Sequence, residues 1–158
     1  MKGNPKVLQH LNEALKAELT AINQYFLHAS MCQNWGYLRM AKKQREESIG
    51  EMKHAEQVME RILFLEGMPR MEEMGKLTIG KDVPQQIKND LALERSAVLA
   101  YNKAIETSRK AGDNATADFL QDILKDEEMH VDLLEKQLSL IDQLGLTQYL
   151  AQQIGEPE

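Results

Sequence analysis

Glu51-Met52-Lys53-His54 returns in the second half of the chain as Glu127-Glu128-Met129-His130. Each Glu-x-x-His quartet follows a lone glutamate, Glu18 or Glu94, by 33 residues, so every member of the first set recurs 76 positions later. Tyr25 and Tyr101 keep the same offset. On a helix, residues three apart lie one turn above another, so each quartet presents a carboxylate and an imidazole to one region. Four carboxylates and two imidazoles form a ligand set for two redox metal ions. Oxygen and imidazole donors without thiolate favour iron or manganese over structural zinc. A single Glu-x-x-His is commonplace on a solvated helix. The duplication at constant spacing is what separates this pair from background.

Reading outward from the quartets, breakers divide the chain into long helical spans. Asn4-Pro5 has the form of an N-cap with a first-turn proline. Asn34-Trp35-Gly36 and Gly112-Asp113-Asn114 are short interruptions, and Gly67 to Pro84 holds the one extended run of breakers. The spacing predicts helices over 5–34, 36–66, 84–111 and 114–144, with a short fifth helix between Leu146 and Ile154 that must dock on something larger. Two short turns and one long connection predict an all-α, ferritin-like four-helix bundle with one long crossover, a single domain over 1–158. Leu8, Leu11, Leu15, Glu18, Ile22 and Tyr25 step by three or four, as do Ile87, Leu91, Glu94, Val98 and Tyr101. Glu51, His54, Val58 and Ile62 share a face of the second span; Glu127, His130, Leu134 and Ile141 share one of the fourth. All six ligand candidates therefore point inward, the known placement in di-iron and di-manganese bundles. Buried ionised carboxylates are costly unless paired or metal-bound. Leu15, Ile22, Val98 and Leu134 fill the stripe around them and leave little room for an organic substrate.

Composition narrows the classes further. The chain has 158 residues, 42 % hydrophobic and 28 % charged, with a net charge of −6. That is an ordinary globular balance, and its acidity disfavours nucleic-acid binding. No stretch approaches a membrane span of about 18 apolar residues, and MKGNPKVLQHLNEAL lacks the form of a signal peptide. A cytoplasmic location is the expectation. Cys32 is the sole cysteine, which excludes a disulfide framework and a cysteine-ligated iron domain of the rubrerythrin kind. Tyr25 and Tyr101 are either core tyrosines or donors to a ligand carboxylate, Tyr25 being the preferred candidate. His10 and His28 have no counterpart at the offset and read as structural or exposed.

LNEALKAELTAINQYFLHA (11–29), ESIGEMKHAEQVMERILFLEG (47–67) and DEEMHVDLLEKQLSLIDQLGLTQYL (126–150) resemble the bacterioferritins, haem-containing ferritin-like iron-storage proteins, and the resemblance runs over essentially the whole chain. It implies a ferroxidase whose di-iron centre oxidises Fe²⁺ to Fe³⁺ with O2 or H2O2, and a hollow shell of twenty-four subunits (a 24-mer) storing the ferric mineral. It implies Glu51 and Glu127 as bridging ligands, Glu18 and His54 on one iron, Glu94 and His130 on the other. Met52 would be the axial ligand of a haem b shared between two subunits, making the shell one of haem-bridged dimers. Its counterpart at the offset is Glu128, so haem ligation belongs to one half only. The homo-oligomer leaves room for mixing with a second subunit type, and a small redox protein such as a ferredoxin would feed electrons through haem for iron release. Many relatives carry a histidine at 46 and an acid at 50 as an accessory iron site. Glu46 and Gly50 here put that site in doubt. Glu47, one turn before Glu51, reads as part of a solvated face. A dinuclear-metal oxygenase or manganese catalase on the same bundle is the alternative function, and would need a substrate cavity beside the metals.

Overall fold

The computed structural model describes residues 1–155. Five helices follow in order: α1 (Pro5–Trp35), α2 (Leu38–Phe64), α3 (Val83–Lys110), α4 (Asn114–Leu144) and α5 (Leu146–Ala151), with no strand among the described residues. The helices start and stop where side-chain chemistry dictates. Asn4 Oδ1 accepts from the backbone N–H of Lys6 and Val7, and Asp82 Oδ1 from that of Gln85, in front of Pro5 and Pro84. Gly36 takes the left-handed conformation (φ 92°) that ends α1, so α2 begins at Leu38 rather than at 36. At its far end α2 stops at Phe64, two residues short of expectation. Glu66 turns left-handed (φ 64°), and the Gly67 N–H closes back on the Ile62 carbonyl.

Interhelical bonds fix the directions. Tyr25 reaches Glu94 while Tyr101 reaches Glu18, so α1 and α3 run antiparallel; His54 meets Asp126 while His130 meets Glu47, so α2 and α4 do too. The crossover between α2 and α3 climbs along α1 on a ladder of buried polar side chains. Asn12 Oδ1 accepts from Arg70 N (2.8 Å), Thr20 Oγ1 from Gly75 N (2.8 Å), Gln24 Oε1 from Thr78 N (3.1 Å) and His28 Nε2 from Gly80 N (3.0 Å). A connection without secondary structure must find partners for its buried N–H groups, and α1 supplies them. His28 is thus structural, with its other ring nitrogen on Asp90. Gly80 packs so tightly that an added Cβ would lie 2.2 Å from the Gln86 nitrogen.

The apolar core divides in two. One cluster joins Leu11, Leu15, Val58, Ile62, Tyr101, Ile105, Leu120 and Ile123; the other joins Cys32, Met40, Val83, Ile87 and Tyr149. Between them lies the layer holding the six Glu and His residues. The fifth helix ends at Ala151, earlier than Ile154. It docks by burying Tyr149, whose hydroxyl donates to Gln137 Oε1 (2.7 Å), while Arg39 binds the Gln152 carbonyl (2.9 Å). No helix is long and apolar enough to cross a membrane.

Candidate metal centre

Each long helix delivers its share at the same level: Glu18 from α1, Glu51 and His54 from α2, Glu94 from α3, Glu127 and His130 from α4. The four carboxylates are at most 1 % exposed, a burial no unpaired carboxylate tolerates. Their donor atoms fall into two overlapping groups, Glu18/Glu51/His54/Glu127 and Glu51/Glu94/Glu127/His130. The overlap has a specific geometry. Glu51 places Oε2 3.3 Å from His54 Nδ1 and Oε1 3.1 Å from His130 Nδ1. Glu127 likewise directs Oε1 at His54 Nδ1 (2.9 Å) and Oε2 toward His130 Nδ1 (3.7 Å). Glu18 approaches only the His54 side (3.8 Å) and Glu94 only the His130 side (3.5 Å).

Several of these atoms aim at common space rather than at one another. Glu18 Oε2, Glu51 Oε1, Glu94 Oε2 and His130 Nδ1 are buried without a hydrogen-bond partner. The 3.1 Å approach of Glu51 Oε1 to His130 Nδ1 is close enough for an ion pair, yet not aligned as a hydrogen bond. Orphaned buried donors of this kind fit a pair of cations. Without cations, protons take their place. Burial, then the negative neighbours Glu18 and Glu94, raise the Glu51 carboxyl well above the ordinary range. Burial, then the close approach of Glu127, push Glu94 up to about 7. Glu127 itself is lowered: burial works against its charge, but the neighbouring Glu94, His130 and His54 outweigh it, His54 at hydrogen-bond distance (2.9 Å). Both imidazoles are held well above their usual value. Burial opposes their charge and the carboxylates around them overcome it, Glu127 foremost. Glutamates and histidines of this sort are the groups that exchange protons for metal.

The tyrosines cross over between halves. Tyr25 donates to Glu94 Oε1 (2.8 Å) and Tyr101 to Glu18 Oε1 (2.5 Å), each steadying the lone glutamate of the opposite half. Burial and then those same glutamates raise both phenols far above 10.0, so they stay protonated donors.

Three features depart from the sequence reading. Glu47 does not sit on a solvated face: its Oε2 lies 3.0 Å from His130 Nε2. Asp126, which sequence reasoning passed over, lies 3.0 Å from His54 Nε2. Its adjacency to Glu127 was the only hint available. Finally, the surroundings are roomier than the apolar stripe implied. A cavity of about 180 Å³ lies against Tyr25, Glu47 and His130, with Gln44, Leu134 and Tyr149 among its walls.

Met52 points away from the centre, as its position next to Glu51 requires, and is 54 % exposed, with exposed Ile49 one turn before it on α2. A free thioether on an apolar surface fits a haem ligand. In the second half Glu128 is equally outward. Glu46 and Gly50 take part in no metal-sized cluster among the described residues.

A ferritin-like domain matches residues 8–144. A bacterioferritin of Mycolicibacterium paratuberculosis is 45 % identical over 157 residues, 99 % of both chains. One of Brucella melitensis is 44 % identical over 94 % of this chain and 92 % of its own. Another, of Rhodobacter capsulatus, is 46 % identical over 92 % of this chain and 90 % of its own.

Proposed function

This chain belongs to the bacterioferritin family of ferritin-like proteins, and we propose that it stores iron by oxidising Fe²⁺ at the six-residue centre. The observation that carries this reading is the split of Glu51 and Glu127, each offering one oxygen to the His54 side and one to the His130 side. Two shared carboxylates define two adjacent cation positions. Glu18 with His54 completes one, and Glu94 with His130 the other. Four carboxylates balance two Fe²⁺ ions without residual charge, and one electron leaves each iron for O2 or H2O2. Tyr101 donates to the Glu18 oxygen turned away from His54, and Tyr25 donates to Glu94 Oε1 and leaves Oε2 for a cation, so both lone glutamates keep their place during the change of iron charge. Product Fe³⁺ passes to the interior of a twenty-four-subunit shell. Met52 would be the residue that holds haem b, one from each of two subunits, and the group when bound would supply electron transfer from a small redox protein for release of stored iron.

Anaerobic titration with Fe²⁺ tests the centre: two ions bind per subunit. Glu94→Ala combined with Glu127→Ala abolishes rapid oxidation, and unchanged oxidation refutes the assignment. Size-exclusion chromatography gives a large shell; a monomer refutes storage. Met52→Leu removes the Soret band and leaves the shell. A second reading, a dinuclear oxygenase, draws support from the cavity against Tyr25 and His130. It is favoured only if oxidised iron stays at two per subunit instead of accumulating as mineral.

A further inference from the structure

We propose that Glu47 and Asp126 are positioning residues, each holding one imidazole of the centre from outside, and that they make the two cation positions inequivalent. The proposal rests on the metal-binding reading above. An imidazole that offers Nδ1 to a cation must carry its proton on Nε2. Both rings here turn Nδ1 to the carboxylates of the centre and Nε2 to an outer acid at 3.0 Å: Glu47 for His130 and Asp126 for His54. A carboxylate accepting from Nε2–H fixes the tautomer, sets the ring's direction and makes Nδ1 a better donor. The two contacts also run in opposite senses, α2 to α4 and α4 to α2, so the facing helices hold each other's ligands.

What makes these acids informative is that the 76-residue repeat does not generate them. The counterpart of Glu47 is Ile123, which is buried, and the counterpart of Asp126 is Gly50. Each half reaches the same arrangement with an acid at a different helical position. Nor are the acids equal. The Glu47 side chain is 21 % exposed and that of Asp126 is 55 % exposed. Water competes harder for Asp126, so its grip on His54 is the looser. The Glu94/His130 position is therefore the tighter and the Glu18/His54 position the more adaptable.

Anaerobic Co²⁺ titration of the assembled protein, followed by its visible bands, tests this with metal alone. Wild type binds two ions per subunit. Glu47→Ala weakens one of the two by roughly 10–100-fold, and Asp126→Ala weakens the other by about 10-fold or less. Glu47→Gln and Asp126→Asn stay closer to wild type, since an amide oxygen still accepts from Nε2–H. Glu47→Ala changes nothing further for the ion already lost in Glu94→Ala, but is additive with Glu18→Ala. Melting of the metal-free variants matches wild type. Titration curves like wild type overturn the proposal. So does equal weakening of both ions with a lowered metal-free melting temperature, the mark of a mere strap between helices. Absence of Co²⁺ binding in wild type defeats the metal centre itself, and the positioning roles with it.

Discussion

The two halves of the bundle, α1 with α2 and α3 with α4, carry identical ligand spacings and differ in the residues that face away from the shared centre. Glu18, Glu51 and His54 find their equals in Glu94, Glu127 and His130. Yet the ladder residues Asn12, Thr20, Gln24 and His28 of α1 correspond to Lys88, Ser96, Ala100 and Ala104 of α3. The four side-chain acceptors for the crossover's N–H groups all lie on α1, whereas α3 meets it from the donor side, with Asn89 Nδ2 on the Thr78 carbonyl (3.0 Å). Exposed Met52 answers to exposed Glu128, and Gly50 to Asp126. Residues facing the shared centre obey the repeat because the centre is common to both halves. Residues facing outward follow their own neighbours, which differ.

The sharpest way to break this equivalence is to remove a carboxylate that both halves use. Glu51→Ala takes an oxygen from each cation position at once, whereas Glu18→Ala takes one from a single position. In anaerobic Fe²⁺ titration Glu51→Ala loses both ions, with affinities lowered by well over ~100-fold, more than an outer contact costs. Glu18→Ala retains one ion. Equal stoichiometries for the two variants contradict the shared role of Glu51.

A pH titration probes the second half through Glu94. Its folded pKa of about 7 stands above the ordinary 4.5. The associated stability of the metal-free fold is complete below about pH 4.5 and is lost as pH rises through 7, about 3 kcal/mol in all. His54 and His130, raised as well, work in the same direction above pH 6.5. Glu127, lowered, opposes them only on the acid side. Metal-free protein thus melts lower at pH 8 than at pH 5.5, and the stabilisation added by Zn²⁺ grows over that range as metal replaces protons. Glu94→Gln flattens the metal-free slope. A metal-free melting temperature that rises from pH 5.5 to 8 contradicts the buried-proton account.

Thr20 and Ser96 make the next comparison, since they are offset partners with opposite tasks. Thr20→Val leaves the Gly75 N–H of the crossover without its 2.8 Å acceptor and costs about 1–3 kcal/mol. Ser96→Ala, on the exposed side of α3, stays within about 0.5 kcal/mol. Denaturant unfolding of the two variants reads the difference directly. The same pair shows what could be read in advance. The ligand faces, the turns and the long crossover are legible because helical period and breaker residues act locally. That Thr20 and Gln24 catch backbone from residues 75 and 78 depends on where the crossover lies against α1. Glu47 and Asp126 depend likewise on the register of α2 against α4, and the cavity on how side chains of all five helices fail to fill a corner. Those are properties of the assembled fold, and no spacing within one helix contains them.

Gly50 offers the smallest and most discriminating test of whether the halves differ by necessity. It lies within α2 without a left-handed backbone, and a Cβ placed there meets nothing within 4 Å. Glycine inside a helix costs roughly 0.5–1 kcal/mol relative to alanine, through the entropy it loses on folding. Gly50→Ala should therefore stabilise the protein and raise its melting temperature by about 1–4 °C, while Co²⁺ binding stays at two ions with wild-type affinities. The methyl group adds no acceptor for His130, whose Nε2 is already matched by Glu47. If Gly50→Ala instead lowers the melting temperature of the assembled protein, the space beside Gly50 is filled in the assembly, and the glycine answers to a close approach by a second copy of the chain.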